Sequence, residues 1–196
     1  MGKAPIETMV GREVHGRVDN VVYRQLHGEA VLARRPRLPF KVPPSDEQLR
    51  VQGAFRQAAG HAYHVFHDAD KAALKAEYAA AAERRGVPPD RLFPFIVRDK
   101  AKPPVIGKID DTLYHRHVGD EIHIVATDDC KVTGVTVKIT KQDDGTLIEQ
   151  GPARDDGGFW RYVATAEAPA AVPLVLEVTA TDLAENRTIE RMGIMT

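Results

Sequence analysis

Pro173-Leu-Val-Leu-Glu-Val-Thr-Ala180 alternates apolar with other side chains at a period of two, the pattern of a strand with one face buried. The same texture recurs upstream in Glu121-Ile-His-Ile-Val-Ala126, Val135-Thr-Val-Lys-Ile139, Thr146-Leu-Ile-Glu149 and Phe159-Trp-Arg-Tyr-Val-Ala164. Turn-forming clusters separate the runs, notably Asp143-Asp-Gly145 and Asp155-Asp-Gly-Gly158. With Val105–Ile109 and Thr188–Ile194 added, about seven short strands fill residues 103–196. That number and spacing predict an antiparallel β-sandwich.

Upstream of Lys102-Pro-Pro104, read as a linker, the period changes to that of helices. Ser45-Asp-Glu-Gln48 matches a capping box, in which a serine side chain takes an amide of the first turn and the glutamine reaches back. A helix over about 46–66 follows, then a break at His67-Asp68. Asp68 is expected to cap a second helix over about 69–85 that Gly86 closes. Val87-Pro-Pro-Asp90 leads into a short third helix, Arg91–Arg98.

The front of the chain has a third texture. Asn20–Arg34 holds two β-rich runs around His27-Gly28 and predicts a hairpin. It runs into Arg34-Arg-Pro-Arg-Leu-Pro-Phe-Lys-Val-Pro-Pro44, whose prolines favour an extended, polyproline-like arm. A two-stranded hairpin alone is marginal in water, so this one needs a partner from the N-terminal residues, the sandwich or another subunit. The expected fold is α+β in three parts: a hairpin and proline arm over 1–44, a helical segment over 45–102 and a sandwich over 103–196.

Composition narrows the class. Hydrophobic residues make up 43% of the 196 and charged residues 28%, ordinary for a folded globular chain. No apolar run approaches the roughly 20 residues of a membrane span. The opening Met1-Gly-Lys-Ala-Pro-Ile-Glu7 has no apolar stretch of a secretory signal. The single cysteine, Cys130, excludes an intramolecular disulfide framework and a four-cysteine zinc site. The formal charge of −1 conceals an excess of +4 over residues 1–44, +2 over 45–102 and −7 over 103–196. A basic front and an acidic back suit subunits stacked head to tail, or a nucleic-acid arm.

From Pro104 to the end, the order of segments resembles bacterial immunoglobulin-like modules of surface and appendage proteins. The residues that carry the likeness are Gly119-Asp-Glu-Ile-His-Ile-Val-Ala-Thr-Asp-Asp129, Val132-Thr-Gly-Val-Thr-Val-Lys-Ile139, Trp160 with Tyr162, and Val178-Thr-Ala-Thr-Asp-Leu-Ala-Glu-Asn186. The resemblance implies an immunoglobulin-like fold, not an activity. Gly16-Arg-Val-Asp-Asn-Val-Val-Tyr23, followed by Ser45–Gln48 and an alanine-rich helix pair, is loosely similar to small bacterial and phage-type proteins of unassigned role.

Three sets of residues carry candidate chemistry. On the first helix, Val51, Phe55, Ala58, Ala59, Ala62, Val65 and Phe66 share a stripe expected to be buried, with Tyr63 at its flank. His61, His64 and His67 fall off that stripe, beside Gly53 and Gly60. Glycines on a solvent face gain nothing for their cost of about 1 kcal/mol each, so this face is expected to meet another segment or subunit. Zinc held by His61, His64 and Asp68 is the alternative, although the i, i+3 spacing is not the usual i, i+4 pair. His115 and His117, near His123, are read as solvated residues sharing a strand face, with a metal pair as alternative. At one pole of the sandwich, Asp128, Asp129, Asp182 and Asn186 offer oxygens suited to calcium, or to turns alone.

Arg34, Arg35 and Arg37 can touch a phosphate backbone, but no aromatic platforms interleave with them. No nucleophile elbow, phosphate loop, dinucleotide fingerprint or haem motif occurs. The expected function is therefore a non-enzymatic structural protein that self-assembles into a filament, tube or particle. Val21, Val22, Tyr23, Val31 and Leu32 of the hairpin would be its contact residues, together with Gly53 and Gly60. A ligand- or calcium-binding sandwich and a nucleic-acid-associated particle protein are the alternatives.

Overall fold

The computed structural model describes residues 16–18, 21–26, 29–34 and 43–194. The chain divides into two compact units, residues 1–45 and 46–196. In the first, β1 (Gly16–Val18), β2 (Val21–Leu26) and β3 (Glu29–Arg34) form an antiparallel sheet in that order. β2 and β3 make the expected hairpin, with Leu26 opposite Glu29. Its third strand comes from the N-terminal residues of the same chain, with Val18 opposite Val21. Val21 and Val22 are half-buried. The side chains of Tyr23, Val31 and Leu32, and the arm over 35–42 with Arg35 and Arg37, lie outside the described residues.

The second unit begins with three helices. Asp46 and Glu47 occupy the first turn of α1 (Asp46–His67), where carboxylates complement the helix dipole. A 3₁₀ turn, Ala69–Lys71, leads into α2 (Ala72–Arg84). Gly86 stops α2 at φ 66°, a conformation glycine adopts without strain. A second 3₁₀ turn, Pro89–Arg91, starts α3 (Leu92–Ala101). Pro89 fits there because a helix's first amides have no intrahelical partner. Asp68 does not cap as expected: its side chain makes no cap hydrogen bond, and its Oδ2 lies 3.0 Å from His64 Nδ1.

Only part of the expected α1 stripe is buried. Ala58, Ala62 and Val65 are in the core and Phe66 is half-buried, but Val51 is 54% exposed and Phe55 63%. Periodicity marks an apolar stripe without saying what covers it, and residues 46–57 of α1 are exposed apart from half-buried Gly53. Tyr63 is 56% exposed and lies tilted against His67 with ring centroids 4.3 Å apart, so it does not enter the core.

The remaining chain is an antiparallel sheet of seven strands: β4 (Val105–Asp110), β5 (Glu121–Thr127), β6 (Val132–Lys141), β7 (Leu147–Asp155), β8 (Trp160–Val163), β9 (Leu174–Asp182) and β10 (Arg187–Ile194). Their order is β10-β9-β6-β7-β8-β5-β4. β7 belongs to both faces, pairing with β6 through Ala153 and with β8 at Arg154 and Asp155. Thr188 of β10 donates to the carbonyl of Pro104 just before β4, so the sheet nearly closes on itself. Inside lie Ile122 and Ile124, Val135, Val137 and Ile139, Tyr162, and Leu174, Leu176 and Val178. Each fully buried aliphatic side chain contributes roughly 1.5–3 kcal/mol.

The helices seat on one end of this sheet. Ala62, Val65, Tyr78, Ala81, Leu92, Phe95 and Ile96 pack with Cys130 from the β5–β6 turn and Leu183 from the β9–β10 turn. Polar contacts fix the junction: Arg85 donates to the carbonyl of Asp128 at 2.9 Å and Lys100 to that of Ala184 at 2.8 Å. Asn186 Nδ2 donates to the carbonyl of Asp99 at 3.0 Å.

Candidate metal centre

Three carboxylates meet at this junction. β9 alternates strictly, with Leu174, Leu176, Val178, Ala180 and Asp182 all inward, so Asp182 ends a row of apolar residues and is 1% exposed. A bulge between Val132 and Gly134 holds its strand end, where Thr133 Oγ1 donates to the carbonyl of Asp182 at 2.9 Å. Asp128 forms the β5–β6 turn by accepting the amides of Cys130 and Lys131 on Oδ2 at 2.6 and 3.0 Å. Asp99 reaches the same place from α3, one turn past Phe95 and Ile96, and is also 1% exposed. One oxygen from each residue lies within 4.8 Å of the other two.

The hydrogen bonds leave the cluster incomplete. Asp182 accepts the Asn186 amide on Oδ1 at 2.7 Å and Asn186 Nδ2 on Oδ2 at 2.8 Å. Asp99 Oδ2 accepts the Tyr78 hydroxyl at 2.7 Å. Asp99 Oδ1 and Asp128 Oδ1 are buried without a hydrogen-bond partner among the described residues. The basic side chains nearby are turned elsewhere, Arg85 and Lys100 to carbonyls and Lys102 and Arg98 to Asp129.

Electrostatics follow from that geometry. Burial raises the Asp99 carboxyl to about 7; the charges of Asp128 and Asp182 add to the rise, and the Tyr78 hydrogen bond opposes it. Burial also raises Asp182 and pushes the Cys130 thiol up to about 12, so that thiol is a poor nucleophile. An unpartnered pair of buried carboxylate oxygens is satisfied by a shared proton or by a hard cation.

Of the four oxygen-bearing residues expected at this pole, Asp128 and Asp182 converge and Asn186 braces them. Asp129 does not join: Lys102 Nζ donates to it at 3.0 Å, and that bond holds its carboxyl below the usual range. Asp99 was not anticipated. Its signal was an acid three residues past Ile96 and seven past Leu92, on the buried face of α3.

The other candidates do not assemble. His61, His64 and Asp68 do not converge on a common point, and the cluster of three carboxylates is the metal-competent group among the described residues. His61 is half-buried rather than off the core. Its Nε2 is buried without a partner, its ring meets Tyr78 edge-on at 6.5 Å, and burial, then Lys100, lowers its pKa. A Cβ on Gly53 or Gly60 would meet nothing within 4 Å, so no segment of this chain packs closely on that face among the described residues.

His115 and His117 lie in a loop instead of on a strand, both donating their amides to Asp120 Oδ2, at 2.6 and 2.8 Å. His123, on β5, pairs with Glu121 at 3.0 Å. Arg34 is exposed. No helix among the described residues is long and apolar enough to cross a membrane.

No protein-family model matches the chain, and no curated protein matches it significantly. Among solved structures it is similar to an engineered protein at 18% identity and a TM-score of 0.34, over 47% of this chain and 20% of that one. It is also similar to a conjugative transposon lipoprotein from Bacteroides eggerthii at 14% identity and a TM-score of 0.25, over 47% of this chain and 95% of that one. The match thus spans 20% of the engineered protein's length. Likenesses this slight define neither a family nor a function.

Proposed function

We propose that the protein is a non-enzymatic structural subunit that assembles with further copies of itself through its first unit. The observation that carries this reading is the size of that unit. Its described part is a three-stranded sheet of one three-residue and two six-residue strands. Three strands this short are near the lower limit for independent stability, and a further strand would strengthen the sheet. A strand of another copy can extend it, because β3 ends the sheet and an end strand offers a row of amides and carbonyls.

Two further features support the reading. Leu49, Val51 and Phe55 expose large apolar side chains on the first turns of α1, a second surface that assembly can cover. The pairing order also favours an immunoglobulin-like module similar to those of bacterial surface and appendage proteins. The first, second and fifth strands of the seven lie on one face and the third, sixth and seventh on the other, with the fourth shared between them. Deletion of residues 1–44 is expected to leave the second unit folded by circular dichroism and to abolish large species in light scattering and electron microscopy. Assemblies that survive the deletion would sink the proposal.

A further inference from the structure

We propose that Asp99, Asp128 and Asp182 bind one calcium-class divalent cation, which ties α3 to the two turns closing the sandwich end. The three residues come from separate stretches of chain, one on a helix, one in the β5–β6 turn and one at the end of β9. Nothing local to any of them requires the other two to be near. Two are 1% exposed, and the third adds a buried oxygen.

The second observation is the unfilled valence on two of the three residues. Asp99 Oδ1 and Asp128 Oδ1 have no donor among the described residues, and unlike Glu149 Oε1, also unpartnered, they belong to residues that meet in one cluster. The basic side chains that could neutralise them are held by Asp129 and by main-chain carbonyls. Asp182, held by Asn186 and by the Ala184 amide, keeps one of its four lone pairs for a cation. The donor set is therefore all oxygen, and it carries three negative charges once a cation displaces the proton of Asp99.

The all-oxygen, water-poor lining favours calcium. Its ligands lie roughly 2.3–2.6 Å from the ion, so oxygens on opposite sides stand about 5 Å apart, enough to span this cluster. Magnesium gives up its waters reluctantly and keeps several of them, which a buried cluster does not accommodate. A cation that binds the folded chain alone stabilises it by mass action, so the melting temperature rises with its concentration.

The test uses the full chain, stripped of metal. Terbium is the probe, because it matches calcium in size and the Tyr78 hydroxyl, 2.7 Å from Asp99 Oδ2, places a sensitising ring beside the site. Tyrosine-excited terbium emission is expected to saturate at one ion per chain, and calcium is expected to displace it more readily than magnesium does. Millimolar calcium should raise the melting temperature by several degrees over chelator. Asp99→Asn and Asp182→Asn keep the side-chain shape and are expected to lose both responses. Tyr78→Phe keeps the ligands, so it is expected to lose most of the emission yet retain the calcium-dependent melting shift. It serves equally if an asparagine variant fails to fold. Calcium-indifferent melting with no saturable emission, leaving a proton shared by Asp99 and Asp128, would overturn the proposal. Unchanged emission and melting shift in folded Asp99→Asn would overturn it as well.

Discussion

Glu149 inside the sheet and Asp99 at its helical end are both buried carboxylates, 5% and 1% exposed, yet the chain provides for them differently. Four donors converge on Glu149 Oε2: the Tyr162 hydroxyl at 2.8 Å, the Thr165 amide and hydroxyl at 2.7 and 2.9 Å, and the Ala166 amide at 3.3 Å. Each acid leaves its other oxygen unpartnered among the described residues, but Asp99 receives one donor, from Tyr78, and faces two further carboxylates. A sheet interior can surround an anion with donors, because Tyr162 on β8 and the segment just after that strand come within reach of β7. Where separate layers meet, each acid brings donors from its own segment only, Asp99 Oδ1 and Asp128 Oδ1 are left over, and the junction depends on a proton or a cation.

Removing the group with many donors should have the largest effect. Glu149→Leu leaves the buried Tyr162 hydroxyl and the Thr165 and Ala166 donors without an acceptor and is expected to cost about 4 kcal/mol in urea unfolding. Asp99→Asn should act in the opposite direction. With chelator present near neutral or mildly alkaline pH, it removes a buried charge and keeps an acceptor for Tyr78, a gain of about 2 kcal/mol. The pH dependence separates the two further. Folded Asp99 keeps its proton up to about 7, whereas an unfolded aspartate loses it near ~4. Between these values the folded state binds more protons, so this group's contribution falls as pH rises and is flat above about 7. Asp182, also raised, contributes with the same sign. Metal-free wild type should therefore lose stability across that window relative to Asp99→Asn; parallel curves would break the comparison.

The sandwich was legible because alternation and turn chemistry are local signals, and all seven strands fall where the period-two runs stand. Alternation even carried part of the site, since Asp182 continues the inward row from Leu174 through Ala180. Asp128 and Asn186 were readable from the shared direction of β5 and β9. Asp99 was not, because its meeting with them depends on how α3 seats on the sandwich, a packing fact with no local pattern. The same gap explains Val51 and Phe55, whose periodicity gave a stripe but no neighbour to bury it. His115 and His117 failed for another reason: Arg116 between them adopts φ 75°, which breaks the alternation, and Asp120 gathers both flanking amides into a loop.

Smaller effects sharpen the contrast. Tyr78→Phe takes away the one donor to Asp99 Oδ2 and is expected to cost about 1 kcal/mol while pushing the Asp99 carboxyl further upward, since that hydrogen bond lowers it. Paired NMR titrations of the carboxyl carbon in wild type and variant would show the shift.

Smallest of all should be Glu177→Gln. Glu177 on β9 accepts from Arg191 of β10 at 2.7 Å, a better-formed ion pair on paper than anything Asp99 has, but the arginine end is open to water. Solvent competes for both charges, so the loss should stay below about 0.5 kcal/mol and shrink further in high salt. If unfolding in low and high salt showed a loss as large as that of Glu149→Leu, then pairing distance rather than burial would rank the acids of this protein, and the contrast between Glu149 and Asp99 would lose its physical basis.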